Sequence, residues 1–94
     1  MAEWYQPALT DDTFGPFAGQ LVEAARTHSN EHPVRLLVTV AALADEMLYS
    51  IFEAQSADTV SQVCRRAGWP ADRITAVRAR ADFAERHARL QPGC

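Results

Sequence analysis

Residues 34–54, VRLLVTVAALADEMLYSIFEA, constrain the fold more than any other stretch of the chain. Val34, Leu36, Val38 and Val40 alternate with Arg35, Leu37, Thr39 and Ala41, and β-branched residues are dense there. That pattern favours an extended strand. Leu36, Leu37, Val40, Leu43, Ala44, Met47, Leu48 and Ile51 also fall at helical spacing, so one continuous helix is the alternative. The hairpin reading is self-consistent when residues 42–46 (ALADE) form the loop. Arg35 then faces Glu53, Leu37 faces Ile51 and Thr39 faces Tyr49. On the other side Leu36 meets Phe52, Val38 meets Ser50 and Val40 meets Leu48. A charge pair and a polar–aromatic pair on one face, with an apolar set on the other, predict a hairpin lying on helices.

The flanking sequence supplies those helices. Residues 2–6, AEWYQ, suit a short strand ended by Pro7, which has no N–H for a ladder. Asp11, Asp12 and Thr13 are candidate caps for a helix carrying Phe14, Phe17, Ala18, Leu21, Val22 and Ala25 on one face, with Pro16 in its first turn. Ser29, Asn30 and Pro33 stop it near His28. Ser56 caps a second helix whose stripe is Val60, Val63, Cys64 and Ala67, ended by Gly68 and Pro70. Residues 73–79 read as a last strand and residues 80–94 as a tail able to form a terminal helix. The order strand, helix, strand, strand, helix, strand is the α+β, ferredoxin-like βαββαβ plan: one domain over 1–94, with an antiparallel sheet and two helices on one face.

Composition narrows the partners. Net charge is −3, which disfavours nucleic acid. Residues 1–58 hold nine acids against Arg26 and Arg35, while residues 59–94 hold seven arginines against Asp72, Asp82 and Glu85. Such runs are ordinarily solvated helix faces. No apolar run reaches the ~20 residues of a membrane span, and the opening MAEWYQPALTDD has no signal-peptide pattern, so the expected location is cytoplasmic. Cys64 and Cys94 form neither a disulfide framework nor a metal-ligand spacing.

Within ADEMLYSIFEAQSADTVSQVCRRAGWPADRITAV, four pieces of punctuation stand out: Phe52-Glu53-Ala54 ending a strand, Ser56-Ala57-Asp58 opening a helix, Ala67-Gly68 closing it and Asp72-Arg73-Ile74 opening a strand. In these the chain resembles the small actinobacterial proteins grouped as a domain of unknown function (number 4242), over roughly residues 34–78. The resemblance implies a ferredoxin-like fold that associates as dimers, and it brings in nickel, which one relative binds. It assigns no residue of this chain to a metal.

Candidate sites follow from side-chain chemistry. His28 and His32 have the spacing of two ligands on one helix face, but Asn30 and Pro33 interrupt the helix there, which leaves solvated surface histidines as the expectation. Asp45 and Glu46 fall at the hairpin turn, where turn chemistry is the ordinary role of acids. The sheet face away from the helices is the stronger candidate. It is expected to carry Arg35, Thr39, Tyr49 and Glu53 among Leu37, Met47 and Ile51, with Trp4 or its neighbours Glu3 and Tyr5 reaching it from the first strand. An apolar face with a few polar groups marks an interface or a ligand bed. The expected function is a homodimer, packed sheet to sheet, that holds a small molecule or divalent metal. The alternative is a cofactor-independent enzyme acting on a hydrophobic metabolite, with Glu53 or Glu46 as acid–base group, Tyr49 as donor and Arg35 as anchor.

Overall fold

The computed structural model describes residues 1–78 and 80. Its elements are β1 (Ala2–Tyr5), α1 (Asp11–His28), β2 (Val34–Ala42), a 3-10 turn (Leu43–Asp45), β3 (Met47–Ala54), α2 (Ala57–Arg66) and β4 (Arg73–Ile74). The four strands pair antiparallel in the order β2-β3-β1-β4. Both helices pack on one side of the sheet, the ferredoxin-like arrangement. Residues 34–54 are therefore a hairpin and not a helix. Among the described residues no helix is long and apolar enough to cross a membrane. The expected terminal helix in the tail, and Cys94 beyond it, lie outside the described residues.

Helix α1 begins earlier than its caps suggested. Thr10 is the N-cap, and its N–H donates to Thr13 Oγ1 at 3.1 Å. Pro16 consequently sits in the second turn, where the hydrogen bond it cannot make is owed to the carbonyl of Asp12, an exposed residue. Phe17, Leu21, Ala24 and Ala25 are buried, whereas Val22 faces outward. Helix α2 buries Val60, Val63 and Cys64 as its stripe requires. Its end is a Schellman turn: Gly68 N–H donates to Arg65 O and Trp69 N–H to Cys64 O, both at 2.9 Å, with Gly68 at φ 85°.

Trp4, Phe17 and Trp69 knit the core. Phe17 meets each indole edge-to-face, at 4.9 Å from Trp4 and 5.0 Å from Trp69. Trp4 Nε1–H donates to Trp69 O at 2.8 Å, which ties β1 to the segment after α2. Burial pushes the Cys64 thiol up from its ordinary 9.0 to about 11. A pKa raised on folding stabilises the protein below the unfolded value and loses that contribution as pH climbs through the folded one. Stability is thus expected to fall by up to about 2 kcal/mol between roughly pH 9 and pH 11, and Cys64→Ala to flatten that limb in urea titrations.

Two strands depart from expectation. β4 is two residues rather than 73–79, because its ladder partner β1 is short. The pairing ends where Met1 and Thr75 exchange N–H···O bonds of 2.6 and 2.8 Å. The larger departure is in the hairpin. Val34, Arg35 and Leu36 pair with Ala54, Glu53 and Phe52, but a bulge at Leu37 shifts the register. Beyond it Val38 pairs with Ile51, Thr39 with Ser50, Val40 with Tyr49 and Ala41 with Leu48. The expected pairs Leu37–Ile51, Thr39–Tyr49, Val38–Ser50 and Val40–Leu48 do not form. A one-residue slip moves every later side chain to the opposite face.

The physical reason lies at Ser50, which is 0% exposed and needs a partner. The bulge brings Thr39 to it, with the two hydroxyl oxygens 2.8 Å apart. Ser50→Ala alone is expected to cost about 1–2 kcal/mol by stranding the Thr39 hydroxyl, whereas adding Thr39→Val should recover most of the loss. A double-mutant cycle in urea reads the coupling, and additive single effects would refute the pairing.

Candidate functional site

Ladder partners share a face, so the pairings assign the open side of the sheet directly. One row holds Arg35 and Glu53, the next Val38 and Ile51. A third runs Val40, Tyr49, Glu3 and Arg73 across all four strands, and a fourth runs Ala42, Met47 and Tyr5. The intervening rows, with Leu36, Phe52, Ala41, Leu48, Trp4, Ala2 and Ile74, lie against the helices.

Of the expected site residues, Arg35, Tyr49 and Glu53 are on the open face, as are Glu3, Tyr5, Met47 and Ile51. Trp4 and Thr39 are not. Trp4 alternates inward because Ala2 and Trp4 are the apolar positions of β1, and its indole fills the core. Thr39 turns inward after the bulge. Val38 and Val40 take its place and are 45% and 49% exposed. Sequence reading missed these two valines and the Glu3–Arg73 pair. The signal that could have found the valines is Ser50: a serine among inward positions calls for a hydroxyl opposite it.

Two ion pairs flank the apolar rows. Arg35 Nη2 and Glu53 Oε1 are 3.2 Å apart, and Arg73 Nε and Glu3 Oε2 are 3.7 Å apart. The first pair is well solvated and worth little to stability, so both groups remain open to exchange partners. The Glu3 side chain is more covered than its arginine.

Of the two alternative acid–base groups, Glu53 shares the open face with Tyr49, whereas Glu46 stands at the hairpin turn. Seven residues of extended chain hold the two carboxylates roughly 20 Å apart. Glu46 is a structural brace instead. It adopts the left-handed region at φ 56°. Its carboxylate accepts from Ala8 N–H at 3.0 Å and from Tyr5 Oη–H at 3.4 Å, while its carbonyl accepts from Gln6 N–H at 2.7 Å. These bonds hold the strained residue and tie the hairpin turn to the loop after β1.

The histidines also differ from expectation. His28 is 3% exposed, and neither ring nitrogen has a hydrogen-bond partner. His32 lies on the surface with its ring 5.6 Å away. Among the described residues no three His, Cys, Asp or Glu side chains gather as a metal site, so these residues do not fit nickel. Burying an unbonded imidazole opposes folding, and His28→Leu is expected to raise stability by about 1 kcal/mol. A thermal or urea midpoint that falls would count against that account.

Fold and face together define a small α+β domain with one side of its sheet roofed by helices and, among the described residues, the other side uncovered. Comparison with protein-family models, with curated proteins and with solved structures found no match to the chain.

Proposed function

We propose that this chain is a small cytoplasmic binding module that works as a homodimer and holds an apolar small molecule on its open sheet face. The observation that carries this reading is the run of three adjacent rows, Val38–Ile51, Val40–Tyr49 and Met47–Tyr5, which forms one apolar and aromatic surface between two ion pairs. Its footprint, three rows of ~7 Å by three strands of ~5 Å, is on the order of 300 Å². Contiguous apolar surface of that size is commonly a binding site. Covering it would release about 8 kcal/mol gross at 25 cal/mol per Å², before the cost of association.

The ligand that suits this ground has a flat apolar body and one anionic or hydrogen-bonding end, directed to Arg35 or Arg73. Kinship with the domain of unknown function (number 4242) belongs to the same proposal and rests on the four motifs between Phe52 and Ile74. Native mass spectrometry of untagged protein tests the reading, together with titration by an anilinonaphthalene sulfonate dye. A dimer that retains a small molecule, and a dye site lost in Ile51→Glu, are expected. A ligand-free monomer whose dye response Ile51→Glu leaves unchanged would sink it.

A further inference from the structure

The chain leaves the sheet beside the open face. Met1 N–H donates to Thr75 O at 2.6 Å and Thr75 N–H to Met1 O at 2.8 Å. This exchange lies one residue beyond the Ala2–Ser50 pair, level with Ile51. Ala76, Val77 and Arg78 then run exposed from the β4 edge. Both helices occupy the other side of the sheet, so among the described residues the open face is the side without a covering layer.

Residues 81–90, ADFAERHARL, carry the pattern that such a face requires. Phe83, His87 and Leu90 recur at steps of four and three, with Ala84 and Ala88 beside them, the stripe of an amphipathic helix. Asp82 and Arg86 stand four apart, as do Glu85 and Arg89, with the acid first in both. That is the favourable order for ion pairs on a solvated helix surface, and at about 100° per residue both pairs fall opposite the stripe. The dimensions agree as well. From β4 to β2 the strands span ~14 Å at ~4.8 Å each, and ten helical residues are ~15 Å long. Steps of three or four residues advance ~5 Å, so one stripe residue falls on each successive strand. Residues 76–80 reach up to about 17 Å, enough to lift the chain from β4 onto the face.

We propose that residues 81–90 form a helix that closes over the open face from β4 to β2 and supplies the second wall of the ligand site. Phe83 then stands above β1, His87 above β3 and Leu90 above β2. This deepens the function proposed above and rests on it. A helix of ten residues is marginal alone in water, so this one closes where its stripe meets the apolar rows and the ligand they hold. The ligand body lies between Tyr49 and Ile51 on one side and Phe83 and Leu90 on the other, while the charged side of the helix faces water.

Two measurements on the full chain test the lid. Phe83→Glu is expected to weaken binding of the anilinonaphthalene sulfonate dye about ten-fold, the loss of one buried aromatic contact, and Glu85→Gln to leave it unchanged. The second measurement is a cross-link by a short bismaleimide in a Cys94→Ser background, with Cys64 buried. Dye-loaded chain carrying Leu90→Cys and Val40→Cys is expected to bridge within one molecule several times faster than chain carrying Leu90→Cys and Gln62→Cys, whose second thiol lies on the exposed side of α2. Equal rates for the two pairs, bridges that join two molecules, or a Phe83→Glu chain that binds dye as tightly as the unmodified one would each overturn the lid. If Ile51→Glu still abolishes the dye site in those cases, the open-face reading stands without it. A dye response that survives Ile51→Glu would overturn both.

Discussion

Trp4→Ala is expected to cost about 3–5 kcal/mol, most of the stability a domain of this size possesses, and to leave much of the chain unfolded. The size of the effect comes from the place of β1 in the sheet. It is four residues long yet lies between β3 and β4, so the sheet divides without it. Trp4 is its anchor, held edge-to-face by Phe17 and hydrogen-bonded to the Trp69 carbonyl. Truncation opens a large cavity, releases that carbonyl and removes the contact joining β1 to the end of α2. Trp4→Phe keeps a ring and loses the N–H, and is expected to cost about 1–2 kcal/mol. Far-UV circular dichroism in urea measures both. A Trp4→Ala loss below about 1 kcal/mol would mean that another contact holds β1.

The second large effect separates adjacent residues of β3. Phe52→Glu is expected to cost about 3 kcal/mol or more, because it places a carboxylate against the helices among Leu36, Ala54 and the buried residues of α2. Ile51→Glu, one residue away, is expected to change monomer stability by less than about 0.5 kcal/mol while abolishing dye binding on the open face. Val38→Glu joins Ile51→Glu in this class only because of the bulge, since the unbulged register would set Val38 beside Ser50 against the helices. Urea midpoints of the three variants at low protein concentration, with dye titration of those that fold, decide the matter. If Val38→Glu unfolds the chain as Phe52→Glu does, the register of the open face is wrong and the proposed site with it.

These two experiments divide along the same line as the sequence reading. The order of elements was legible because it rests on local signals: alternation in 34–41, the cap at Ser56, the stop at Gly68 and helical spacing in Phe17, Leu21, Val60 and Val63. Arg35 opposite Glu53 was legible too, since it lies on the side of the bulge where simple counting holds. Trp4, Thr39, Val38 and Val40 were misplaced for a different reason. Which face a strand residue takes depends on long-range partners, and one added residue inverts every position beyond it. His28 was misplaced for another reason: it follows Ala25 and Ala24 by three and four positions, on the buried face of α1, but its polar ring was read as solvated surface.

What the chain determined by itself is its secondary structure and the ferredoxin-like order, because capping, turn chemistry and periodicity act between residues only a few positions apart. The tertiary structure decided the composition of the open face and the free edge of β2. The first depends on Ser50 finding Thr39 across the hairpin, two residues that become neighbours only once the strands have closed, and the second on the order in which the four strands pair.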